Sequence, residues 1–311
     1  MSAERSCGSA ASTRVLILGG AGMLGHRLWR TLRGRFETFV TLRSLDPWRG
    51  IGLFDPARTI EDVNARHPRS VERALDETHP DVVVNCIGIV KQRAEAKDPV
   101  ASIAVNALFP HLVARAVTAR GARFVHVSTD CVFSGRRGSY AEDDLTDAED
   151  LYGRTKALGE VTAPGCLTLR TSIIGREIGE GLGLVEWFLS RRRAGACQGF
   201  TRAWFSGVTT AVLAGFVADL VASGSELSGL YHLAGDRISK HDLVTLLNDA
   251  FAAGVDIEAV DGPAVDRSLD GARLRRDAGF EPPSWADMVR DLAADDAPYD
   301  TWRRMLGRGT P

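Results

Sequence analysis

Cysteine is scarce in this chain and carries no pattern. The five cysteines, at positions 7, 86, 131, 166 and 197, form no CxxC pair, which argues against a zinc ribbon and against a disulfide framework. Seven histidines show neither HxH nor HExxH spacing, so no helical metal signature is present. An excess of one charge is also lacking: 38 Lys and Arg against 40 Asp and Glu leave a formal net charge of −2. That balance gives no electrostatic reason to expect nucleic acid or a membrane surface as partner. No apolar run approaches the roughly 20 residues that span a bilayer. The polar, Ser- and Ala-rich stretch 1–12 has no apolar signal-peptide centre. These absences lead to the expectation of a cytoplasmic, metal-free protein with a disordered leader over 1–12. The triplet Arg191-Arg192-Arg193 reads as a solvated helix end.

What is present is an ordinary globular composition over 311 residues, 44% hydrophobic and 25% charged, enough for a full core. The first 170 residues alternate short β-rich runs with helical ones. Strands are predicted at Arg14–Leu18, Phe39–Arg43, Ile51–Asp55, Asp81–Cys86, Arg123–Ser128 and Leu167–Arg170. Helices are predicted at Gly22–Leu32, Ser70–Glu77, Pro99–Arg120 and Leu151–Thr162. Val82, Val83 and Val84 form an apolar run without alternation, which suits a strand buried on both faces of a parallel sheet. The expected class is therefore α/β: a Rossmann-type doubly wound parallel sheet over 13–172. Beyond 172 the pattern loosens into helices at Gly183–Arg192, Gly207–Ser223, Ser239–Phe251 and Trp285–Leu292, with a short strand at Gly229–Leu233. This part, 173–311, has the proportions of a smaller substrate-binding lobe, with the 207–223 helix expected to return to the first domain.

Directly after the first strand comes Gly19-Gly20-Ala21-Gly22-Met23-Leu24-Gly25, a GxxGxxG turn opening a helix. Glycines there let backbone approach a pyrophosphate, and the helix N-terminus supplies free N–H groups and a positive dipole end. A tight turn without ligand is the competing reading; the strand–turn–helix setting favours a dinucleotide. Where an NAD enzyme places an acid for the ribose 2′-hydroxyl, this chain has Thr41-Leu42-Arg43-Ser44. A guanidinium and a hydroxyl suit a 2′-phosphate, so NADP(H) is expected over NAD(H). Asp55 is a candidate for the adenine amino group, and Cys86, Ile87 and Gly88 for the strand-end wall beside the cofactor.

Tyr152-Gly153-Arg154-Thr155-Lys156 is a YxxxK pair, which at helical spacing puts phenol and ammonium on one face. A nearby ammonium is expected to pull the phenol pKa down toward working pH, allowing proton donation to a forming alkoxide. On its own such a pair is usually a solvated helix face. Ser128-Thr129, at the end of the predicted fifth strand, supplies the hydroxyl that carbonyl reduction also requires.

With these residues in place the chain resembles extended short-chain dehydrogenase/reductases, and more narrowly the dTDP-4-dehydrorhamnose reductase group. The resemblance is carried by LILGGAGMLG (16–25), FVHVSTDCVFSG (124–135), YGRTKALGE (152–160) and LRTS (169–172). It implies that Thr129 polarises a substrate carbonyl, Tyr152 donates the proton, and Lys156 holds the nicotinamide ribose. It also implies that Gly22, Met23 and Leu24 cradle the pyrophosphate and that Asp130 helps shape the sugar pocket. Two segments depart from that group: NCIGIVKQ (85–92), and Ile173-Ile174-Gly175 after LRTS. NCIGIVKQ and ALFPH (107–111) look closer to capsule and surface-polysaccharide reductases acting on UDP-2-acetamido-2,6-dideoxy-hexos-4-uloses. A nucleotide-sugar substrate is implied, with sugar and nucleotide open. Lys91, Arg202 and Trp204 are further candidates to contact it, though an aromatic flanked by Arg is more often packing. Dimers are common among similar proteins; no residue pattern here demonstrates one. A 4,6-dehydratase would need a Glu where Cys131 stands, an epimerase would hold NAD tightly, and a silent regulatory subunit would not need the Thr129–Tyr152–Lys156 set.

Overall fold

The computed structural model describes residues 13–308, so the leader expected over 1–12 lies outside the described residues. The first half contains Arg14–Leu18 (β1), Met23–Leu32 (α1), Glu37–Thr41 (β2), Thr59–Ile60 (β3), Arg69–Thr78 (α2) and Val82–Asn85 (β4). Pro99–Ser102 (α3) continues through a π-type stretch, Ile103–Leu108, into Phe109–Thr118 (α4). Arg123–Thr129 (β5), Leu151–Leu158 (α5) and Cys166–Thr171 (β6) follow. Shorter elements come next: Ile173–Ile174 (β7), Leu184–Ser190 (α6), Ala196–Phe200 (β8), Ala203–Phe205 (β9) and Val208–Thr209 (β10). The chain then forms Thr210–Ala222 (α7), Gly229–His232 (β11), Ile238–Ser239 (β12), Lys240–Ala250 (α8), Asp256–Val260 (β13) and Val265–Asp266 (β14). It ends with Ala272–Ala278 (α9), Trp285–Ala293 (α10) and Tyr299–Met305 (α11).

Seven strands make one all-parallel sheet in the order β11-β6-β5-β4-β1-β2-β3. The pleat sends alternate residues of β1 to opposite faces. Val15 and Ile17 join the core cluster that contains Leu28 and Trp29 of α1 and Leu213 and Val217 of α7. Leu16 and Leu18 join the cluster that contains Val71 and Leu75 of α2 and Phe109 and Val113 of α4. Each such side chain, fully buried, contributes about 1.5–3 kcal/mol, which is why the strand tolerates no polar alternation. Chain direction across the sheet switches between β1 and β4, and ligands of open α/β sheets bind at the carboxyl ends beside that switch. Leu18 and Asn85 end those two strands, and they are followed by the glycine turn and by Cys86–Gly88.

Three expectations need correction. The run Ile51–Asp55 is not a strand: a 3₁₀ turn, Asp46–Ile51, leads into a loop, and the edge strand is β3. Leu53 and Phe54 are buried because this loop folds over Trp29, whose Nε1 donates to the Leu53 carbonyl at 2.8 Å. Their burial comes from packing against an indole rather than from a pleat. Second, among the described residues one helical stretch, Pro99–Thr118, is long and apolar enough to cross a membrane. Its apolar side chains Val105, Phe109, Val113 and Val117 serve the sheet face instead. Third, α5 stops at Leu158 rather than Thr162, because Gly159 closes against the Asn106 carbonyl oxygen of the π-type stretch, where a Cβ would overlap it.

In the second half, β8 pairs with β13, and β9 pairs with both β12 and β14. Helix α8 begins as the sequence predicts, with Ser239 Oγ accepting from Asp242 N at 3.0 Å. Helix α7 packs along α1, and β11 adds the seventh strand beside β6.

Candidate active site

The glycine turn separates two kinds of requirement. Gly19 has φ +87°, and a Cβ there would lie 2.8 Å from Ile87 Cγ1; Gly25 is pressed against the Gly19 carbonyl, where a Cβ would overlap. Those two glycines are demanded by the fold itself. Gly22 is not, since nothing among the described residues comes nearer than 3.5 Å to its would-be Cβ. Its open side faces the space in front of α1, where Gly22 is the N-cap without a side-chain cap. The first amides of α1 have no intrahelical acceptor, so Met23 and Leu24 N–H are available to an anion. The Leu24 side chain is in the core, which leaves its backbone amide as the only part that can face a ligand.

A cavity of about 410 Å³ opens from this turn, bounded by Gly19, Gly22, Arg43, Trp48, the loop Val63–Arg66 and the segment Cys86–Ile89. Exposed Arg43 lines it; Ser44 does not, and its hydroxyl accepts from Asp46 N at 3.2 Å. Asp55 also lies outside, its carboxylate accepting from Ala57 N at 2.9 Å to cap a short turn. The loop that lines the cavity in the region assigned to Asp55 is Val63–Arg66, which was missed because the third strand was placed too early. An open glycine cradle, a free helix N-terminus and arginines around one cavity fit an NAD(P)-type dinucleotide.

The catalytic candidates cluster beyond the Cys86 end of the cavity without lining it. Thr129, at the end of β5, donates from Oγ1 to Asp130 Oδ1 at 3.1 Å and accepts from Cys131 N at 3.1 Å. Tyr152 is in the first turn of α5, and Thr129 is near enough to act on its phenol. Burial pushes the Tyr152 phenol above its ordinary value, and Cys131 adds to the rise, while the Thr129 hydrogen bond opposes it. The expected lowering by Lys156 is therefore not found. The reason is where the ammonium points: Lys156 Nζ donates to the Val127 carbonyl at 2.8 Å and lies 3.4 Å from His126 Nε2.

Burial also brings Lys156 down to about 8, and it holds His126 far below its ordinary value. Asn85 Oδ1 accepts from Ile87 N at 3.1 Å, and its amide nitrogen lies 3.1 Å from His126 Nδ1. The amide N–H then donates to Nδ1, which places the imidazole proton on Nε2, facing Lys156. Two donors facing each other disfavour the ammonium. The floor of the corner is a buried ion pair: Arg170 grips both oxygens of Glu160 at 2.8 Å, and Ser128 Oγ donates to Glu160 Oε1 at 2.7 Å. Asp150 caps α5 through Gly153 N at 2.7 Å and pairs with Lys91 Nζ at 2.6 Å. Lys91 is thereby tied to the start of α5. Burial raises the Cys86 and Cys131 thiols to about 12, so both stay protonated and unreactive.

Asp130 is buried, and burial raises its pKa while the charges of Lys240 and Arg267 work against the rise. Lys240 is the first residue of α8, with its ammonium 3.6 Å from the centre of the Phe205 ring. Arg267 donates from Nε to the Phe133 carbonyl at 2.9 Å. Sequence reasoning missed both, although a lysine in the first turn of a helix opposes the helix dipole and was a usable signal. The other two lobe candidates are not brought to this corner. Arg202 is exposed, and Trp204 is partly buried under the Arg237 guanidinium at 3.8 Å, with Arg237 in turn paired to Asp266 at 2.8 Å.

Comparison with known proteins agrees with this layout. SpsK, a spore coat polysaccharide biosynthesis protein of Bacillus subtilis, is 30% identical over 51% of this chain; the match spans 53% of SpsK, about half its length. The dTDP-4-dehydrorhamnose reductase of Aggregatibacter actinomycetemcomitans is 24% identical over 90% of this chain and 98% of its own length. The crystal structure of dTDP-4-dehydrorhamnose reductase from Bacillus anthracis in complex with NADP shares the fold. Its TM-score is 0.75 at 21% identity, covering 90% of this chain and 98% of that one. The family described as RmlD substrate binding domain matches residues 13–297. A match of that extent includes the glycine cradle, the Thr129–Tyr152–Lys156 corner and the Lys240 lobe together, and the chain belongs to the RmlD substrate binding domain family.

Proposed function

We propose that this chain is an NADPH-dependent reductase of the 4-keto group of a nucleotide-activated 6-deoxysugar, working in surface-polysaccharide or deoxysugar biosynthesis. The observation that carries the reading is the meeting of Thr129 with Tyr152 at the carboxyl edge of the sheet, one strand end away from an open dinucleotide cradle. The names of its relatives, a dTDP-4-dehydrorhamnose reductase and a polysaccharide biosynthesis protein, support the substrate class.

The dihydronicotinamide supplies hydride when bound. This chain's residues supply the rest. Gly22, Met23 and Leu24 offer backbone to the pyrophosphate, and Arg43 suits a 2′-phosphate. Thr129 and Tyr152 donate hydrogen bonds to the keto oxygen, stabilising the charge that develops there. Tyr152 then releases its proton to that oxygen, a transfer helped by the high proton affinity of the product alkoxide. Lys156, pointing to β5 in the free protein, turns toward the ribose hydroxyls and the Tyr152 oxygen, where a second donor favours the phenolate. Asp130, under the charges of Lys240 and Arg267, accepts a hydrogen bond from a sugar hydroxyl. Residues 173–311 supply most of the remaining sugar-nucleotide surface.

The test is NADPH and NADH oxidation against a panel of UDP- and dTDP-linked 4-keto-6-deoxysugars, with Tyr152→Phe beside the natural chain. Oxidation that requires one sugar, prefers NADPH and disappears in the variant is the expected result. Turnover without any sugar, or equal turnover in the variant, would rule the reading out.

A further inference from the structure

The cofactor cavity has a wall that belongs to neither the glycine turn nor the loops at the strand ends. It comes from the last residues of the chain. Asp295 pairs with Arg30 at 2.9 Å and with Arg27, both on α1. Buried Tyr299 on α11 meets His26 Nε2 through its hydroxyl at 3.0 Å. Farther along, Arg303 donates to the Gly179 carbonyl at 3.0 Å, and its own carbonyl accepts from Arg308 N at 2.8 Å. The arm 295–308 is thus fastened to the helix that opens the glycine turn, and it ends at the mouth of the cavity.

Arg308 lines that cavity, its guanidinium 5.3 Å from the centre of the Trp48 ring. A Cβ on Gly179 would lie 3.5 Å from Arg308 NH1 and 4.0 Å from the Ala21 carbonyl, and all three residues line the one cavity. Its neighbour in the wall, Arg93, is paired with Glu180 at 3.3 Å. Among the described residues Arg308 has no carboxylate partner, and its guanidinium lies against the indole face of Trp48. A guanidinium held on an aromatic face with its N–H fork unpaired suits a phosphate, which it can engage by two hydrogen bonds.

We propose that Arg308 grips a phosphate of the dinucleotide, which makes the C-terminal arm a cofactor-binding element. Most of this arm lies past residue 297, where the family match ends. The proposal rests on the cofactor reading above and adds to it a specific contact from the far end of the chain. Arg308 and Arg43 approach the same cavity from opposite ends of the sequence, with Trp48 beside them.

Binding of NADPH and of NADH to the full chain, without sugar, is measured by calorimetry for the natural protein, Arg308→Met and Arg308→Lys. Methionine keeps an unbranched stem on Trp48 and removes the charge. Loss of a charge-assisted hydrogen bond predicts about tenfold or greater weakening for Arg308→Met, with partial recovery in Arg308→Lys and a shallower salt dependence in the methionine variant. Weakening confined to NADPH assigns the contact to the 2′-phosphate; equal weakening for both dinucleotides assigns it to the pyrophosphate. Unchanged affinity for both, in a variant melting at the natural temperature, overturns the proposal. If the natural chain binds neither dinucleotide, the cofactor reading itself fails.

Discussion

The two ends of this site are built from different materials. At the cofactor end the working parts are an open glycine and unpaired helix amides, with exposed Arg43 and half-buried Arg308 reaching in beside them. At the catalytic end they are buried side chains, each already committed to a partner, from Thr129 on Asp130 to Arg170 on Glu160. Backbone shape is local and tolerates a moving ligand. A buried polar network is costly to disturb anywhere, because each group deprived of its partner has no water to replace it. The cofactor end can therefore exchange its occupant every turnover, while the Glu160–Arg170 floor under the candidate catalytic residues stays fixed.

This contrast can be pressed experimentally. The largest effect is expected from Tyr152→Phe, which should lower turnover by about 10²–10⁴-fold, the range for a positioned general acid, with NADPH affinity unchanged. Steady-state rates alongside calorimetry read both quantities. Next comes Glu160→Gln. It removes the partner of a guanidinium that is only 5% exposed, and breaking such a pair costs about 3–5 kcal/mol, visible in urea unfolding. An equal stability for the variant would show that the catalytic floor is not held by this pair.

At the cofactor end the effects should be smaller and separable. Gly25→Ala forces a Cβ onto the Gly19 carbonyl and should cost about 1–3 kcal/mol of stability, as overpacking does, together with cofactor affinity. Gly22→Ala should change stability by less than about 0.5 kcal/mol, as an unconstrained position does, yet still weaken NADPH. If the two alanine variants lose stability alike, the distinction between fold-demanded and ligand-demanded glycine collapses.

Lys156 gives a finer test through pH. In the ligand-free chain it titrates near 8, below its ordinary value, so the folded state sheds that proton before the unfolded state does. Between pH 8 and the ordinary lysine range the unfolded chain therefore binds more protons, and the contribution of this group to stability rises with pH. Cofactor affinity should move the opposite way, falling as the ammonium is lost. Lys156→Met should flatten both trends, measured by melting temperature and by NADPH titration from pH 6.5 to 9.5.

What could be read from the sequence follows the same division. The glycine turn, β1 and the YxxxK helix were legible because each is a short run whose spacing carries its own reason. The loop after Trp48 was misread because Leu53 and Phe54 are buried against Trp29 rather than in the sheet. Arg267 and Arg308 were invisible for another reason: they reach the site from segments more than 100 residues beyond Lys156, brought there by packing that no local pattern encodes. The fall in the Tyr152 pKa was expected from spacing alone, and spacing says nothing of the competing carbonyl on Val127 that holds Lys156 away.

The seventh strand bears on how this protein could be rebuilt. β11 returns from beyond α7 to pair along β6, register Gly229 with Leu167 through His232 with Arg170. A fragment cut at 172 would leave β6 as a bare edge, a template for pairing with other chains, and would strip α7 from α1. Exchanging the region beyond 172 for a foreign one therefore calls for junctions on either side of 208–233, so that α7 and β11 stay with the sheet they complete.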